Sequence, residues 1–281
     1  MDTNSKINII WYNGFKGNWD HGLILSLIDG DDRFVQHNEK YSPVIDGAII
    51  IIGKPNDIET ARNYLSQFKK ATVILASDED AYWDWKNTVP DHLKICTQYY
   101  HDSKSDIKHR LLLGFPTELP QFLKKALLPK KDIFCSFVGQ VQNPHRQACI
   151  NELQKVPGHF LKIADGFGGV NGLNYQDYIN IMLRSKVVLC PSGSMCTDSF
   201  RAYEALECGA LPIVEARSPR DKKHFNYWQE VGANIFPCVS DWNDVHALLG
   251  DPEFIQERTK QCIEWWNNYK QELKNKLLSN F

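Results

Sequence analysis

One stretch limits the fold of this chain more than any other: Lys186 to Glu215, KVVLCPSGSMCTDSFRAYEALECGALPIVE. Lys186 to Cys190 is an apolar, β-branched run of the kind that forms a parallel strand covered on both faces. Pro191, Ser192, Gly193 and Ser194 interrupt it with turn residues. Asp198 or Ser199 supplies an N-cap, and Phe200 to Cys208 places Phe200, Tyr203 and Leu206 at helical spacing. Gly209 fits the C′ position that closes a helix, and Leu211 to Val214 opens the next strand. The result is a βαβ unit, which aims a helix N-terminus, with its free N–H groups, beyond the carboxyl end of the preceding strand.

That placement suggests a chemistry. Arg201, early in the helix, can grip phosphate oxygens in bidentate fashion. Glu204 lies three residues on, on the same face, and can accept hydrogen bonds from two sugar hydroxyls. Together they can hold a sugar nucleotide, its diphosphate on Arg201 and the helix end and its ribose on Glu204. The spacing fits equally an ordinary βαβ unit with an exposed Arg–Glu pair. Ser192, Gly193 and Ser194 can bring backbone N–H and hydroxyl groups to the donor, or Gly193 only makes a turn. Asp198 and Ser199 are sugar or phosphate contacts, helix caps, or both.

The rest of the chain repeats the alternation of strand and helix. Strands are expected at Lys6 to Tyr12, Arg33 to His37, Ala48 to Ile52, Ala71 to Ala76 and Leu93 to Gln98. Helices are expected at Trp19 to Ile28 and at Asn56 to Phe68, the latter capped by Asn56 or Asp57. A segment punctuated by Pro116, Pro120 and Pro129 reads as an interdomain linker. Beyond it come strand Phe134 to Val138, helix Pro144 to Leu153, strand Phe160 to Ala164 and helix Tyr175 to Arg184. After the central unit follow a helical piece at Asn226 to Val231, a short strand at Asn234 to Pro237, and a long helix at Ile255 to Leu278, broken near Trp265-Trp266. The fold class is α/β, with parallel sheets of Rossmann type. The expected division is residues 1–115 as an acceptor domain, 116–254 as a nucleotide-sugar domain, and 255–281 as a terminal helical region.

Composition removes several function classes. A net charge of −2 gives no electrostatic reason to expect nucleic acid or an anionic membrane as partner. The eight cysteines include no CxxC pair and several sit in apolar runs, which reads as reduced core thiols and not as a disulfide framework or zinc site. MDTNSKINIIWYNGF lacks the layout of a signal peptide, and Ala48 to Ile52, the longest apolar run, is too short to span a bilayer. The expectation is a cytoplasmic protein (host cytoplasm if viral) without a membrane span.

DSFRAYEALECGALPIV resembles the nucleotide-binding signature of exostosin-like glycosyltransferases. FVGQVQNPHR, Phe137 to Arg146, is similar to that family's entry into its carboxyl-terminal domain, and LLLGFP, Leu111 to Pro116, to its interdomain segment. More narrowly, the chain resembles the small exostosin-like xylosyltransferases of large algal viruses. The resemblance implies two facing Rossmann-like domains of GT-B type, with a terminal helix crossing back to the first. It also implies inverting transfer without a metal cofactor, from UDP-xylose or another UDP-sugar, to a glycan acceptor such as fucose of a viral capsid glycan. It gives Arg146 and Arg201 the task of offsetting charge on the departing diphosphate.

Inverting transfer needs a base for the acceptor hydroxyl. Ligands bind at the carboxyl ends of strands in open α/β sheets. Asp78 and Glu79, directly after ATVILAS, are therefore the favoured bases, with His101 as a third candidate. An acidic cluster at that place can equally be only a helix cap. Tyr99 and His101 are candidate acceptor contacts, and Tyr82, Trp83, Trp85 and Tyr100 can stack on a sugar or simply fill the core. A second enzyme reading makes Asp78-Glu79-Asp80 the metal-binding triplet of a single-domain glycosyltransferase. A third is a glycan- or nucleotide-binding module without turnover.

Overall fold

The computed structural model describes residues 6–77, 79, 83–100, 106–141, 144–165, 172–193, 196–218 and 226–281. Asp78, Ser194 and His101, together with Asp80 and Tyr82, lie outside them. The chain divides into two compact units, Met1–Thr117 with Tyr269–Phe281, and Glu118–Asn268.

The first unit contains β1 (Ile7–Trp11), α1 (Gly22–Ile28), β2 (Phe34–His37), β3 (Ile49–Ile52), α2 (Ile58–Leu65), β4 (Thr72–Leu75), α3 (Trp85–Thr88), β5 (Lys94–Thr97) and β6 (His109–Arg110). Its six strands are ordered β2-β1-β3-β4-β5-β6, and every pairing is parallel. β3 and β4 are buried along their whole length, as IIII and TVIL require in the middle of a parallel sheet. Of the two caps considered for α2, Asp57 is the one used: its Oδ1 accepts from the N–H groups of Glu59 (3.0 Å) and Thr60 (3.2 Å). Thr60 Oγ1 donates to the other carboxylate oxygen.

The second unit contains α4 (Leu119–Lys125), β7 (Ile133–Gln140), α5 (Pro144–Leu153), β8 (His159–Ala164), α6 (Tyr175–Arg184), β9 (Ser185–Cys190), α7 (Phe200–Glu207), β10 (Leu211–Glu215), α8 (Tyr227–Glu230), β11 (Cys238–Val239), α9 (Val245–Leu249) and most of α10 (Pro252–Ser279). Its sheet runs β11-β10-β9-β7-β8, again entirely parallel. Chain order therefore leaves β7 toward β8 on one side and toward β9 and β10 on the other. The β7/β9 boundary is the switch point at which an open α/β sheet leaves a crevice for a ligand.

Three local expectations are corrected. The short strand lies at Cys238–Val239 and not at Asn234 to Pro237, because that is where the chain comes into register with Val214 and Glu215 of β10. The Pro-punctuated linker contains a helix, α4, with Pro120 in its first turn, where a missing N–H costs nothing. The terminal helix is unbroken through Trp265-Trp266. Ile255, Cys262, Trp266, Leu273 and Leu277 are all buried, and their spacing of seven and four keeps them on one continuous stripe. Trp266 Nε1 donates to Glu207 Oε1 at 2.7 Å within the second unit. Farther along the same helix, within the first unit, Tyr269 Oη accepts from the Leu112 N–H at 2.8 Å, and Lys274 pairs with Asp31 at 2.7 Å.

Candidate functional site

The carboxyl edge of the second unit's sheet collects most of the residues singled out from the sequence. β9 ends at Cys190, α7 begins at Phe200, and Ser199 is the N-cap, its Oγ accepting from the Arg201 N–H at 3.3 Å. Gly209, at φ +68°, closes α7 in the left-handed conformation that glycine tolerates without cost.

Arg201 reaches back from α7 across the switch point to β7. Its Nη2 donates to the Val138 carbonyl at 3.0 Å, and its guanidinium carbon stands 4.7 Å from the centre of the Phe137 ring. Nε and Nη1 are buried and have no hydrogen-bond partner among the described residues. A guanidinium with two orphaned donors is costly to keep, and an anion is the partner that relieves that cost. Gly139 makes the position possible: a Cβ there would lie 2.5 Å from Arg201 Nη2. We therefore expect Gly139→Ala to leave the protein folded, to displace the guanidinium, and to weaken binding of a nucleoside diphosphate at least fivefold by calorimetry.

Arg146, in the first turn of α5, approaches the crevice from β7's other connection. Nε and Nη2 both donate to the Ser192 carbonyl (3.1 and 3.0 Å), and Nη1 reaches the Gln140 carbonyl at 3.4 Å. The two arginines thus come from helices that leave neighbouring strands on opposite sides, and both grip main-chain carbonyls at the strand ends.

Other expected contacts have different employment. Ser192 is fully buried, and both its N–H (3.0 Å) and its hydroxyl (2.6 Å) go to Glu215 Oε2, so its hydroxyl fixes the loop and does not face a donor. Asp198 is 2% exposed. Its Oδ1 accepts from the Ser199 N–H (2.8 Å) and its Oδ2 from the hydroxyls of Tyr203 (3.1 Å) and Tyr227 (2.6 Å), which makes it a buried junction in place of a cap. Gly193 is buried.

Glu204 is 3% exposed, so the alternative of a surface Arg–Glu pair does not form. In place of free acceptor oxygens it presents a carboxylate that already takes two phenols from α6, Tyr175 on Oε1 at 2.8 Å and Tyr178 on Oε2 at 2.6 Å. Burial pushes its pKa up, and the two tyrosine hydroxyls and the Arg201 charge oppose that rise. Each carboxylate oxygen retains a second lone pair, the acceptor capacity left for a ligand.

In the first unit Glu79 is exposed in a turn after β4. Tyr99 is buried and hydrogen-bonds Asp20, so its ring is not an open stacking surface. Tyr100 is buried beneath Arg110, whose guanidinium carbon is 3.9 Å from its ring centre, and Trp83 is buried with Nε1 on Thr88 Oγ1 at 3.1 Å. Sequence reasoning missed Glu215, Phe137 and Asp20. A charged residue at the carboxyl end of the otherwise apolar LPIVE strand was the signal for Glu215.

Residues 115–281, more than half of the chain, match the family described as RXYLT1 C-terminal domain. The chain belongs to the RXYLT1 C-terminal domain family. The human protein "Ribitol-5-phosphate xylosyltransferase 1" is 28% identical over 169 residues, covering 52% of this chain and 37% of its own. The mouse protein of that name is 29% identical over 115 residues, covering 36% of this chain and 25% of its own. The matched region thus spans 37% of the length of the human relative and 25% of that of the mouse one. Among solved structures, a mutant of Thermobaculum terrenum O-GlcNAc transferase superposes with a TM-score of 0.53 at 10% identity, covering 98% of this chain and 66% of that one. At that identity the likeness shows the fold alone: two parallel-sheet Rossmann-like units, the class of GT-B glycosyltransferases. No helix among the described residues is long and apolar enough to cross a membrane.

Proposed function

We propose that this chain is an inverting glycosyltransferase that binds a nucleotide-diphosphate sugar on its second unit and transfers the sugar to a hydroxyl of a glycan acceptor. The observation that carries the reading is Arg201, whose buried Nε and Nη1 have no partner among the described residues at the β7/β9 switch point. A diphosphate supplies two anionic acceptors to those donors. As the bond to the sugar breaks, the leaving diphosphate gains charge, and a fixed guanidinium is worth more to that state than to the intact donor. Arg146 adds a second cation from α5, so no metal is required for charge compensation.

The relatives' name supports xylose as the transferred sugar, with UDP-xylose as the donor to test first. It also sets ribitol 5-phosphate beside fucose of a capsid glycan as an acceptor to test. Glu204 takes the ribose hydroxyls through its remaining lone pairs, held in place by Tyr175 and Tyr178. Ser199, the N-cap of α7, would stand beside the diphosphate at the start of that helix, and Gly193 lies in the loop that follows β9.

The test is transfer from a panel of UDP-sugars, with EDTA or with manganese, and the anomeric configuration of the product read by NMR. UDP-xylose is expected to react fastest, in EDTA, with inversion. Activity lost in EDTA and restored by manganese would favour the triplet Asp78-Glu79-Asp80 as a metal site. UDP binding without turnover of any donor would favour the binding module.

A further inference from the structure

Two leucines stand bare in the connection between α4 and β7 of the second unit. Leu127 is 91% exposed and Leu128 87%, more than any other large apolar residue among the described ones. Lys124 and Lys125 precede them in the last turn of α4 and Lys130 follows, all three exposed. The run KKALLPKK therefore sets an apolar tip between ammonium groups.

The connection has a fixed base. Ala126 leaves α4 in an extended conformation, and Pro129 keeps the helix from resuming. At the far end, Lys131 Nζ donates to the Cys208 carbonyl at 2.7 Å, and Arg184 donates to both Asp132 carboxylate oxygens at 2.8 and 2.6 Å. Lys131 and Asp132 are thus spent on the fold, while the leucines remain in solvent. Strand register adds one more charge: Ser185 of β9 pairs with Ile133 of β7, and the next residue, Lys186, is exposed.

A single exposed leucine needs no explanation, but an adjacent pair set among lysines does. We propose that this loop docks the protein on an anionic lipid bilayer. The leucines enter the boundary between headgroups and acyl chains, and Lys124, Lys125, Lys130 and Lys186 meet the lipid anions. The two chemistries together choose the partner. Leucines gain little on a nucleic-acid or polysaccharide polyanion, and lysines gain little on a neutral apolar surface, whereas an anionic bilayer takes both. The net charge of −2 averages this local excess away.

The position suits a protein that binds its ligand while docked. The loop enters β7 at the amino edge of the sheet, and Lys131 ties it to Cys208, the C-cap of α7. Arg201 lies in the first turn of that same helix, at the carboxyl edge. The bilayer and the switch-point crevice therefore meet opposite edges of the second unit's sheet. This docking goes beyond the glycosyltransferase reading and does not depend on it.

Flotation of the full chain with vesicles tests it, using phosphatidylcholine alone and phosphatidylcholine with about one phosphatidylserine in three lipids. We expect about tenfold stronger partition to the anionic vesicles at low salt, and loss of that preference at high salt. Leu127→Ser with Leu128→Ser should weaken partition about tenfold. Lys124→Gln, Lys125→Gln and Lys130→Gln together should abolish the preference for phosphatidylserine. These side chains are exposed, so both variants should keep the wild-type urea midpoint. Equal partition of the wild type to the two kinds of vesicle, or a leucine variant that partitions as wild type does, would overturn the proposal. So would a wild-type dimer in solution that the leucine variant disperses, because a second copy would then cover the loop.

Discussion

Replacing Arg201 by alanine should weaken UDP binding tenfold to a hundredfold and lower turnover of a UDP-sugar by more than that. Losing charge-assisted hydrogen bonds to a phosphate costs about 1.5–3 kcal/mol in binding. The further loss in turnover follows because charge builds on the diphosphate only as the bond breaks. The same substitution should leave stability nearly unchanged or raise it. It deletes a buried guanidinium whose Nε and Nη1 have no partner among the described residues, at the cost of one hydrogen bond to Val138, one ring contact and the positive charge that faces the buried Glu204 carboxylate. That pairing, binding lost and stability kept, separates a ligand-holding arginine from one that holds the fold. Calorimetric titration with UDP and urea unfolding of the two proteins measure both sides. A variant that binds UDP as wild type does, but unfolds at lower urea, would make Arg201 a structural residue.

Asp198→Ala should do the reverse. The carboxylate satisfies one backbone N–H and two phenols, and both tyrosines are fully buried. Its removal orphans donors that have no access to water, which costs about 1–3 kcal/mol each. We expect a loss of about 2–5 kcal/mol in unfolding free energy. Asp198→Asn, which keeps one carbonyl acceptor, should lose less. If Asp198→Ala instead kept its urea midpoint and lost UDP affinity, the residue would be a donor contact and not a buried junction.

These two residues show how far a sequence can be read. The βαβ unit was legible because its strands are apolar runs, its cap is one of two adjacent residues and its stop is a glycine. The bounds expected for α5 and α6 match those of the structure, and Pro144 in the first turn of α5 was the local signal for its start. Arg201 stood out because it sits near a helix N-terminus after a buried strand. What the sequence could not show is who already occupies each acceptor. Glu204 and its tyrosines are separated by 26 and 29 positions, and Asp198 and Tyr227 by 29. Such pairings arise only when helices pack, and no local spacing encodes them. Asp20 was invisible for the same reason, since Asn18-Trp19-Asp20-His21 reads as surface turn until Ser77, Gln98 and Tyr99 close over it. β6 is two residues long and β11 likewise, too short for any periodicity.

The most direct test of the account is calorimetric titration of the wild-type protein with UDP in the presence of EDTA. The account predicts saturable binding at one site per chain, weakened by added sodium chloride as a charge-assisted contact requires. Absence of binding in EDTA, with binding restored by manganese, would contradict it, because the arginines would then not suffice to hold a diphosphate.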